Sequence, residues 1–363
     1  MAVARSVSAS RARSPHAYAG TAQAIAQWQR QAGRHDLPWQ ATRDPYRIWL
    51  SEIMLQQTQA ATVIPYYQRF IEAFPTILDL ASAPSDAVMH AWAGLGYYAR
   101  ARNLHRCAQQ VRDTYAGIFP DDPEVLAQLP GIGPSTAAAI AAFAFGARRA
   151  ILDGNVRRVL SRYFALDGDP GSAPMIRELW THAHALLEAA PDDLDMRAYT
   201  QGQMDLGATL CTRHQPACER CPIAANCLAY QQGRQNALPA PRARRVRPER
   251  DTLMLIIECQ GRILLHKRPS RGIWGGLWSL PQFDTQAELW STCAQRAPDA
   301  GPPVALAGFH HDFTHFRLRI TPWRMRCYGA VAADAAEAWV PVNELSDRAL
   351  PSPVARLLAG LYP

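Results

Sequence analysis

The chain has 363 residues, 48% of them hydrophobic, so it can bury a large core and is predicted to form more than one domain. Its formal net charge of +7 fits a polyanionic partner, although solubility alone would also explain it. No apolar run reaches the roughly 18 residues that a membrane helix needs. Lys267 is the only lysine, which excludes lysine Schiff-base chemistry from the N-terminal half.

Residues 1–20 predict a disordered basic tail, because arginine, serine and alanine occur there without the apolar stretch of a signal peptide. Such a tail also resembles an organelle transit peptide, which stays a minority alternative. Four of the eight cysteines crowd into residues 211–227, unlike a secreted disulfide framework. We therefore expect a cytoplasmic protein, in the cytosol or nucleoid of a bacterium.

Residues 21–235 show mostly helical periodicity. Asp44, followed by a proline, is a typical N-cap and predicts a helix that continues to Gln57. Glu52 and Gln56 are four residues apart and are expected on one face of that helix.

Three further segments of this region have a predicted local structure. Residues 95–100 place aromatic side chains at a turn that enters a helix. Residues 123–129 and 137–145 predict two helices, and residues 151–158 predict an apolar segment, a turn and a basic helix.

The connection between the two helices at 123–129 and 137–145 carries the sequence Leu-Pro-Gly-Ile-Gly-Pro-Ser-Thr, residues 129–136. Gly131 and Gly133 are expected to let the backbone turn sharply with positive φ. The start of the second helix would then present unpaired amides and a dipole that favours an anion. An ordinary helix-loop-helix is the alternative.

Four cysteines within 17 residues form the most specific motif of the chain, with six, two and five residues between them. Zinc also suits four thiolates, but its sites usually separate two close pairs by a long spacer. The spacing resembles the 4Fe–4S loop of the endonuclease III and MutY glycosylases, so we expect a structural 4Fe–4S cluster. The ligands would be Cys211, Cys218, Cys221 and Cys227.

Residues 236–250 contain three prolines and five arginines and predict a linker. Beyond the linker the pattern changes to strands, so 251–363 is predicted to be an α+β domain. The predicted strands and closing helix are 252–259, 262–265, 317–325 and 353–361.

Residues 129–136 resemble the helix-hairpin-helix of DNA base-excision glycosylases, in which the hairpin amides bind one DNA phosphate without reading sequence. Two more segments, Trp-Leu-Ser-Glu-Ile-Met-Leu-Gln-Gln-Thr at 49–58 and Leu-Asp-Gly-Asn-Val-Arg-Arg at 152–158, resemble MutY-type adenine DNA glycosylases. The resemblance implies an all-α helix-hairpin-helix glycosylase domain at 21–235. The DNA contacts that it implies in the hairpin are Leu129, Gly131, Gly133, Ser135 and Thr136.

Two carboxylates are assigned by this resemblance. Taken alone, Glu52 would be a solvent-facing helical residue and Asp153 an N-cap. In the family, the matching glutamate is the catalytic acid and the matching aspartate is the second catalytic carboxylate. Glu52 would protonate adenine N7 and then help activate water, while ionised Asp153 would support the oxocarbenium-like sugar by its charge or through a transient covalent adduct.

Ser135 matches the position where bifunctional glycosylase-lyases carry a nucleophilic lysine, so a monofunctional enzyme that uses water is expected. Some family members have tyrosine there, which leaves open whether the Ser135 hydroxyl assists Asp153. Asn155 matches a residue that positions the aspartate and water. Adenine must leave the base stack to be reached. The resemblance gives the gap-filling and base-stack contacts to Gln56, Gln57 and Tyr97, for which a polar helix face and a core aromatic are the alternatives.

Residues 268–281 are glycine-rich and resemble the entry to a Nudix fold, but the acidic run that would hold Mg²⁺ is missing. The region 251–363 is therefore expected to be Nudix-like and without hydrolysis. Phe313, Thr314 and His315 stand where MutY proteins place a Phe-Ser-His loop that recognises 8-oxoguanine. Thr314 keeps a hydroxyl that can accept from the N7–H of the oxidised base; a plain strand turn is the alternative.

The resemblance implies a monomeric enzyme that removes adenine mispaired with 8-oxoguanine or guanine from double-stranded DNA in base-excision repair. An endonuclease III-like enzyme acting on oxidised pyrimidines would need the missing lysine and no C-terminal domain. A non-catalytic DNA-binding Fe–S protein would not need Glu52 and Asp153. A Nudix pyrophosphatase would need the missing acidic motif.

Overall fold

The structure is a computed structural model that describes residues 18–240, 246–298, 300–328 and 333–363. Residues 1–17 of the predicted tail and residues 241–245 of the predicted linker lie outside the described residues. Contacts divide the described chain into two compact units, one of residues 18–52 and 119–240, the other of residues 53–118 and 246–363. None of the helices in these ranges has the length and apolar character needed to cross a membrane.

The region before the linker is helical, as predicted. Its α-helices are α1 (Thr21–Ala32), α2 (Pro45–Leu55), α3 (Ala60–Ala73), α4 (Ile77–Ser82), α5 (Ser85–Trp92), α6 (Ala99–Tyr115), α7 (Pro123–Leu126), α8 (Pro134–Phe145), α9 (Gly154–Tyr163), α10 (Ala173–Glu188), α11 (Met196–Asp205) and α12 (Leu228–Gln231). A π-helical turn, Leu206–Leu210, continues directly from α11.

Helix α2 starts as predicted and ends two residues early. The Asp44 carboxylate accepts a hydrogen bond from the N–H of Tyr46 at 2.9 Å, which satisfies an amide at the start of the helix. The prediction that the helix reaches Gln57 is wrong, because Gln57 has a φ of 60°. A residue in this left-handed conformation cannot continue a right-handed helix.

The hairpin between α7 and α8 forms where it was predicted. Gly131 has a φ of 83°, which a side chain would disfavour. Gly133 has a φ of −94° and a ψ of 171° and is the extended N-cap residue of α8. The expectation that both glycines supply positive φ is therefore wrong for Gly133, since one left-handed residue completes the turn.

The core of the first unit lies among helices α1, α8, α9, α10 and α11. Helix α8 begins with a proline and continues as a run of small apolar residues, most of them buried. Helix α9 has a polar face and a buried face that includes Val156, Val159 and Leu160. This packing fixes the N-terminal ends of α8 and α9, which carry five of the predicted site residues: Gly133, Ser135, Thr136, Asp153 and Asn155.

The region after the linker is an α+β domain, as predicted. Its strands are β1 (Glu249–Cys259), β2 (Arg262–Lys267), β3 (Trp278–Ser279), β4 (Gln282–Phe283), β5 (Val304–Ala305), β6 (Phe309–Asp312), β7 (Arg317–Cys327) and β8 (Glu337–Pro341), and its α-helices are α13 (Gln286–Arg296) and α14 (Ser352–Leu361).

The eight strands form one mixed sheet with the central order β3-β2-β1-β7-β5. Strands β1 and β7 are parallel from the pair Glu249 and Arg317 to the pair Cys259 and Cys327. Strands β2, β4, β6 and β8 join as antiparallel neighbours. Leu289 of α13 is part of a buried apolar cluster with residues of β1, β2 and β7, so this helix covers one face of the sheet.

Candidate active site

Glu52 lies in the last turns of α2 and lines a cavity of about 320 Å³ in the first unit. This volume suits a single base or a small molecule. The wall contains aromatic rings, arginines and amide side chains. The other residues that line it are Gln29, Arg30, His35, Trp39, Gln40, Arg43, Ile48, Ser51, Phe143, Asp195, Arg197, Ala198 and Gln201.

The Glu52 carboxyl holds its proton at neutral pH. Burial, and then the negative charge of Asp153, raise the pKa of Glu52 from 4.5 to about 8. An electrostatic interaction of this kind requires the two carboxyl groups to be neighbours. Glu52 is therefore a neutral acid beside a second acidic group.

Asp153 is the N-cap of α9, as its simplest interpretation predicted. Its carboxylate accepts a hydrogen bond from the N–H of Val156 at 2.7 Å. Burial raises the pKa of Asp153, whereas the N–H groups of Val156 and Asn155 and the charges of Arg158 and Arg157 act against that rise. Because these donors stabilise the ionised form of Asp153, we assign the proton to Glu52 and the negative charge to Asp153.

Ser135 acts on the segment that leads to Asp153. Its hydroxyl oxygen accepts a hydrogen bond from the N–H of Leu152, the preceding residue, at 2.9 Å. Leu152 itself is buried. Ser135 therefore links the start of α8 to the backbone that carries the aspartate.

Asn155 is held by Arg158, one turn further along α9. The Arg158 guanidinium donates to Asn155 Oδ1 at 2.8 Å, to the Gly207 carbonyl at 2.7 Å and to the Cys211 carbonyl at 2.8 Å. These bonds join the N-terminal end of α9 to the π-helical turn and to the first cysteine.

Close packing also positions Asn155. A Cβ atom added at Gly207 would lie 2.5 Å from Asn155 Cβ and 3.0 Å from Asn155 Cα. Only a residue without a side chain lets the π-helical turn approach α9 this closely. Single π-helical turns often occur at functional sites.

The sequence did not single out most residues that line the cavity. Arg197 donates to the carbonyls of Gln40 and Thr42, at 3.3 and 3.0 Å, and so holds the segment that leads to α2. Gln201 donates at 2.8 Å to Asp205, a carboxylate buried at the end of α11. The sequence signal for this pair is a glutamine and an aspartate four residues apart in a helix, a spacing that places both side chains on one face.

The predicted hairpin contacts differ in exposure. Gly131 and Gly133 are exposed, and Ser135 and Thr136 are half-buried. Leu129 is 2% exposed, so its side chain belongs to the core. Its carbonyl oxygen accepts a hydrogen bond that closes the turn.

Gln56, Gln57 and Tyr97 belong to the second unit. Gln57 is exposed, Gln56 is half-buried, and 46% of Tyr97 is exposed although its ring is large and hydrophobic. Gln57 and Tyr97 both have positive φ, 60° and 49°. Left-handed conformations are uncommon for residues other than glycine.

Phe313, Thr314 and His315 form the tip between strands β6 and β7. The Phe313 N–H donates to the Phe316 carbonyl at 2.9 Å, and the two rings stack with centroids 4.5 Å apart. The Phe313 ring also lies 5.5 Å from that of Trp274 in the glycine-rich segment. Thr314 and His315 are exposed at the end of this aromatic support.

The four clustered cysteines line one cavity in the first unit, and all are free thiols. Within the described ranges, no group of three or more His, Cys, Asp or Glu residues is arranged to hold a single metal ion. Arg162 donates to Cys211 Sγ at 3.2 Å and to the Thr212 carbonyl at 2.7 Å. The chain thus brings the four thiols to one place and anchors their loop with a buried arginine.

Comparisons with known proteins show the family of the chain. A family model described as HhH-GPD superfamily base excision DNA repair protein matches residues 50–184, and a NUDIX domain model matches residues 252–360. Fold and family models therefore define a helix-hairpin-helix base-excision repair protein with a Nudix-type domain. The adenine DNA glycosylase of Buchnera aphidicola subsp. Baizongia pistaciae is 34% identical over 342 residues, covering 93% of this chain and 96% of that protein. The chain belongs to the adenine DNA glycosylase family, as the sequence motifs predicted.

Two further proteins are similar to this one. The adenine DNA glycosylase of Rattus norvegicus is 34% identical over 382 residues, which cover 87% of this chain and 73% of the rat protein. The structure of a thermostable thymine-DNA glycosylase matches with a TM-score of 0.52 and 30% identity, over 58% of this chain and 95% of that chain. These matches confirm the predicted multidomain fold, with a helical glycosylase region and a Nudix-like region.

Proposed function

We propose that this protein removes adenine from A·8-oxoguanine and A·G mispairs in double-stranded DNA by hydrolysing the N-glycosidic bond, and leaves an abasic site. The observation that carries this proposal is that Glu52, which lines the cavity, has its pKa raised to about 8 by burial and then by the charge of Asp153. N-glycosidic hydrolysis needs such a neutral acid and such an anion. Membership of the adenine DNA glycosylase family supports adenine as the base.

The chemistry follows from these two roles. Adenine leaves the base stack and enters the Glu52 cavity, and the Glu52 carboxyl donates its proton to adenine N7. The electrons of the C1′–N9 bond move to the base, and the sugar becomes oxocarbenium-like beside Asp153. Water then adds to C1′, either directly or after a covalent ester with Asp153, and its proton returns to Glu52.

Water is the nucleophile in this proposal, so strand cleavage by an amine is not part of it. Ser135 stands where an amine nucleophile would be needed, and its hydroxyl is bonded to the Leu152 N–H. The only lysine, Lys267, forms a 2.5 Å ion pair with Asp86 in the second unit. We therefore propose a monofunctional glycosylase in which Ser135 and Asn155 support Asp153.

The hairpin is proposed to bind one DNA phosphate. Gly131 and Gly133 are exposed beside the N-terminal end of α8, where amides and the helix dipole favour an anion. A Cβ atom at Gly133 would meet no atom within 4 Å, so the open space beside it can admit a phosphate. Ser135 and Thr136 complete this contact, whereas Leu129 supports the turn, because its N–H and its carbonyl are both hydrogen-bonded within the hairpin.

Residues 251–363 are proposed to recognise the base opposite the adenine. Thr314 and His315 are exposed on a tip whose Phe313 packs against Trp274 and Phe316. The Thr314 hydroxyl can accept a hydrogen bond from the N7–H of 8-oxoguanine, whereas guanine N7 has no hydrogen to donate. This difference would favour 8-oxoguanine over guanine.

The cysteine loop is proposed to hold a 4Fe–4S cluster through Cys211, Cys218, Cys221 and Cys227. Four thiols on one cavity match the donor set, and the Arg162 guanidinium near Cys211 offsets the charge of thiolate ligands. When bound, the cluster would cross-link the loop and stabilise it. Assay of the purified protein for iron, sulfide and zinc distinguishes a cluster from structural zinc. We further propose that the protein acts as a monomer in the cytosol.

The deciding experiment offers four duplexes to the purified protein, with A·8-oxoguanine, A·G, thymine glycol or A·T, and analyses each with and without alkali. Release of adenine from the first two, with strand breaks only after alkali, is the expected result. Breaks without alkali would show a lyase. Activity on thymine glycol alone would indicate a pyrimidine-specific enzyme and overturn the proposed function.

A further inference from the structure

Arg100 of α6 is a buried arginine whose guanidinium binds two segments of the second unit. The residue is 8% exposed. Nη1 donates to the carbonyls of Ile53 at 3.0 Å, Met54 at 2.7 Å and Gln56 at 2.7 Å, and Nη2 donates to Thr58 Oγ1 at 3.1 Å and to the carbonyls of Leu95 at 3.4 Å and Gly96 at 3.3 Å.

Both segments lead into a residue with a left-handed backbone. Gln56 directly precedes Gln57, whose φ is 60°, and Gly96 directly precedes Tyr97, whose φ is 49°. Arg100 therefore binds the peptide carbonyl before each of these two residues. Non-glycine residues in such conformations are strained, persist where their surroundings hold them, and often occur at functional sites.

The two strained residues share another property, because their side chains reach solvent. Gln57 is exposed and Tyr97 is 46% exposed. The Arg100 guanidinium also lies 5.3 Å from the centroid of the Tyr97 ring, a cation–π distance. One buried charge thus supports the backbone of both residues and one of the two side chains.

We propose that Arg100 is the positioning residue that presents Gln57 and Tyr97 for insertion into the base stack when adenine is extruded. This inference rests on the proposed function. Arg100 is too buried to bind a phosphate, and its two terminal nitrogens are directed to protein oxygens. Lysine could not replace it, since one ammonium group cannot match the planar fork that reaches both segments.

The test compares Arg100→Lys with Arg112→Lys. Arg112 lies on the same helix, is partly exposed, donates to the Ala81 carbonyl and pairs with Asp113, so it is a matched control away from both segments. Hydrogen exchange should speed up at residues 56–58 and 95–98 in Arg100→Lys, and stay unchanged there in Arg112→Lys. Unchanged exchange in Arg100→Lys would overturn the proposal.

The rate of base extrusion is measured by rapid mixing of the protein with a duplex that carries fluorescent 2-aminopurine next to the adenine opposite 8-oxoguanine. We expect extrusion to be about tenfold to a hundredfold slower in Arg100→Lys, because small misplacements cost rates of this order. In Arg100→Gln, which removes the charge, the salt dependence of DNA binding should not change, whereas loss of a phosphate contact would lower its slope by about one. A lowered slope would make Arg100 a DNA ligand and contradict its positioning role.

A double-mutant cycle with Tyr97→Ala shows whether Arg100 acts through Tyr97. The losses in extrusion rate should be non-additive, because Tyr97→Ala removes a side chain that Arg100→Lys has already displaced. Additive losses would refute the proposal.

If Arg100→Lys does not fold, Thr58→Val is the substitute variant. It removes one acceptor of the Arg100 guanidinium and should speed hydrogen exchange at residues 56–58; unchanged exchange there would also refute the proposal. Wild-type protein that releases no adenine would refute the proposed function, while the exchange result still decides the role of Arg100.

Discussion

The Ser135 hydroxyl oxygen accepts a hydrogen bond from the N–H of Leu152, whose neighbour is Asp153. Ser135→Ala would leave this N–H without its partner beside a buried side chain, at a cost of about 1–3 kcal/mol. We expect a lower midpoint of thermal unfolding and slower single-turnover adenine release. Ser135→Thr keeps the hydroxyl and should recover most of the rate. Equal rates for the wild type and Ser135→Ala would show that this bond does not support Asp153.

The rate of adenine release should depend on the proton of Glu52. Its pKa is raised to about 8 by burial and then by the charge of Asp153, so the acid is present below that pH and is lost above it. Single-turnover rates at saturating enzyme should fall about tenfold per pH unit above pH 8. Burial raises the pKa of Asp153 above its usual 3.8, so the rate should also fall in acid. A rate that stays flat up to pH 10 would exclude Glu52 as the proton donor.

Glu52→Gln should separate activity from stability. The unfolded chain ionises Glu52 near pH 4.5 and the folded chain near pH 8, so this residue lowers the free energy of unfolding progressively between those values. Glutamine cannot ionise, so the variant should be more stable at pH 7 by up to a few kcal/mol and equally stable at pH 4. It should bind the A·8-oxoguanine duplex and release no base.

The control for this variant is Ile48→Val, because Ile48 lines the same cavity and its side chain is apolar. Its thermal midpoint relative to the wild type should not shift with pH between 4.5 and 8. Glu52→Gln with normal turnover, or with a stability gain that does not depend on pH, would remove the raised pKa from the mechanism.

Much of the fold was predictable because local signals agree with the tertiary structure. Asp44 starts α2, and the apolar run at 137–145 lies within buried helix α8. The end of α2 was predicted wrongly because Gln57 has a left-handed φ, and no glycine stands at this position to indicate such a conformation in the sequence. That conformation is held by Arg100, 43 residues away in the sequence, and no local pattern reports such a contact.

The carboxylates and cysteines were accessible from the sequence because each lies in a short motif. The cavity wall was not, since Trp39, Arg43, Arg197 and Gln201 come from separate segments that only the packing of the first unit brings together. The approach of Gly207 to Asn155 is a further example, because an isolated glycine in a helical pattern gives no indication of its neighbour.

Gly207→Ala should displace Asn155. The added methyl would lie 2.5 Å from Asn155 Cβ, so either the π-helical turn or the start of α9 must move. We expect a loss of about 1–3 kcal/mol in stability and a rate of adenine release lower by at least tenfold. Gly360→Ala in α14 is the control, since its Cβ would meet nothing within 4 Å and should not lower stability. Normal adenine release by a folded Gly207→Ala protein would show that this close packing does not position Asn155.

Thr314 should set the preference for 8-oxoguanine over guanine. Its exposed hydroxyl can accept the N7–H that only the oxidised base offers, so Thr314→Ala should lower the ratio of adenine release rates on A·8-oxoguanine and A·G by about 1–2 kcal/mol, roughly tenfold. Thr314→Ser keeps the hydroxyl and is the matched control. Point variants suit this question better than removal of 251–363, because Asp86 accepts hydrogen bonds from Lys267 and Trp278 and ties that region to α5. If Thr314→Ala and Thr314→Ser both keep the wild-type ratio, the tip of strands β6 and β7 does not read the opposite base through this hydroxyl.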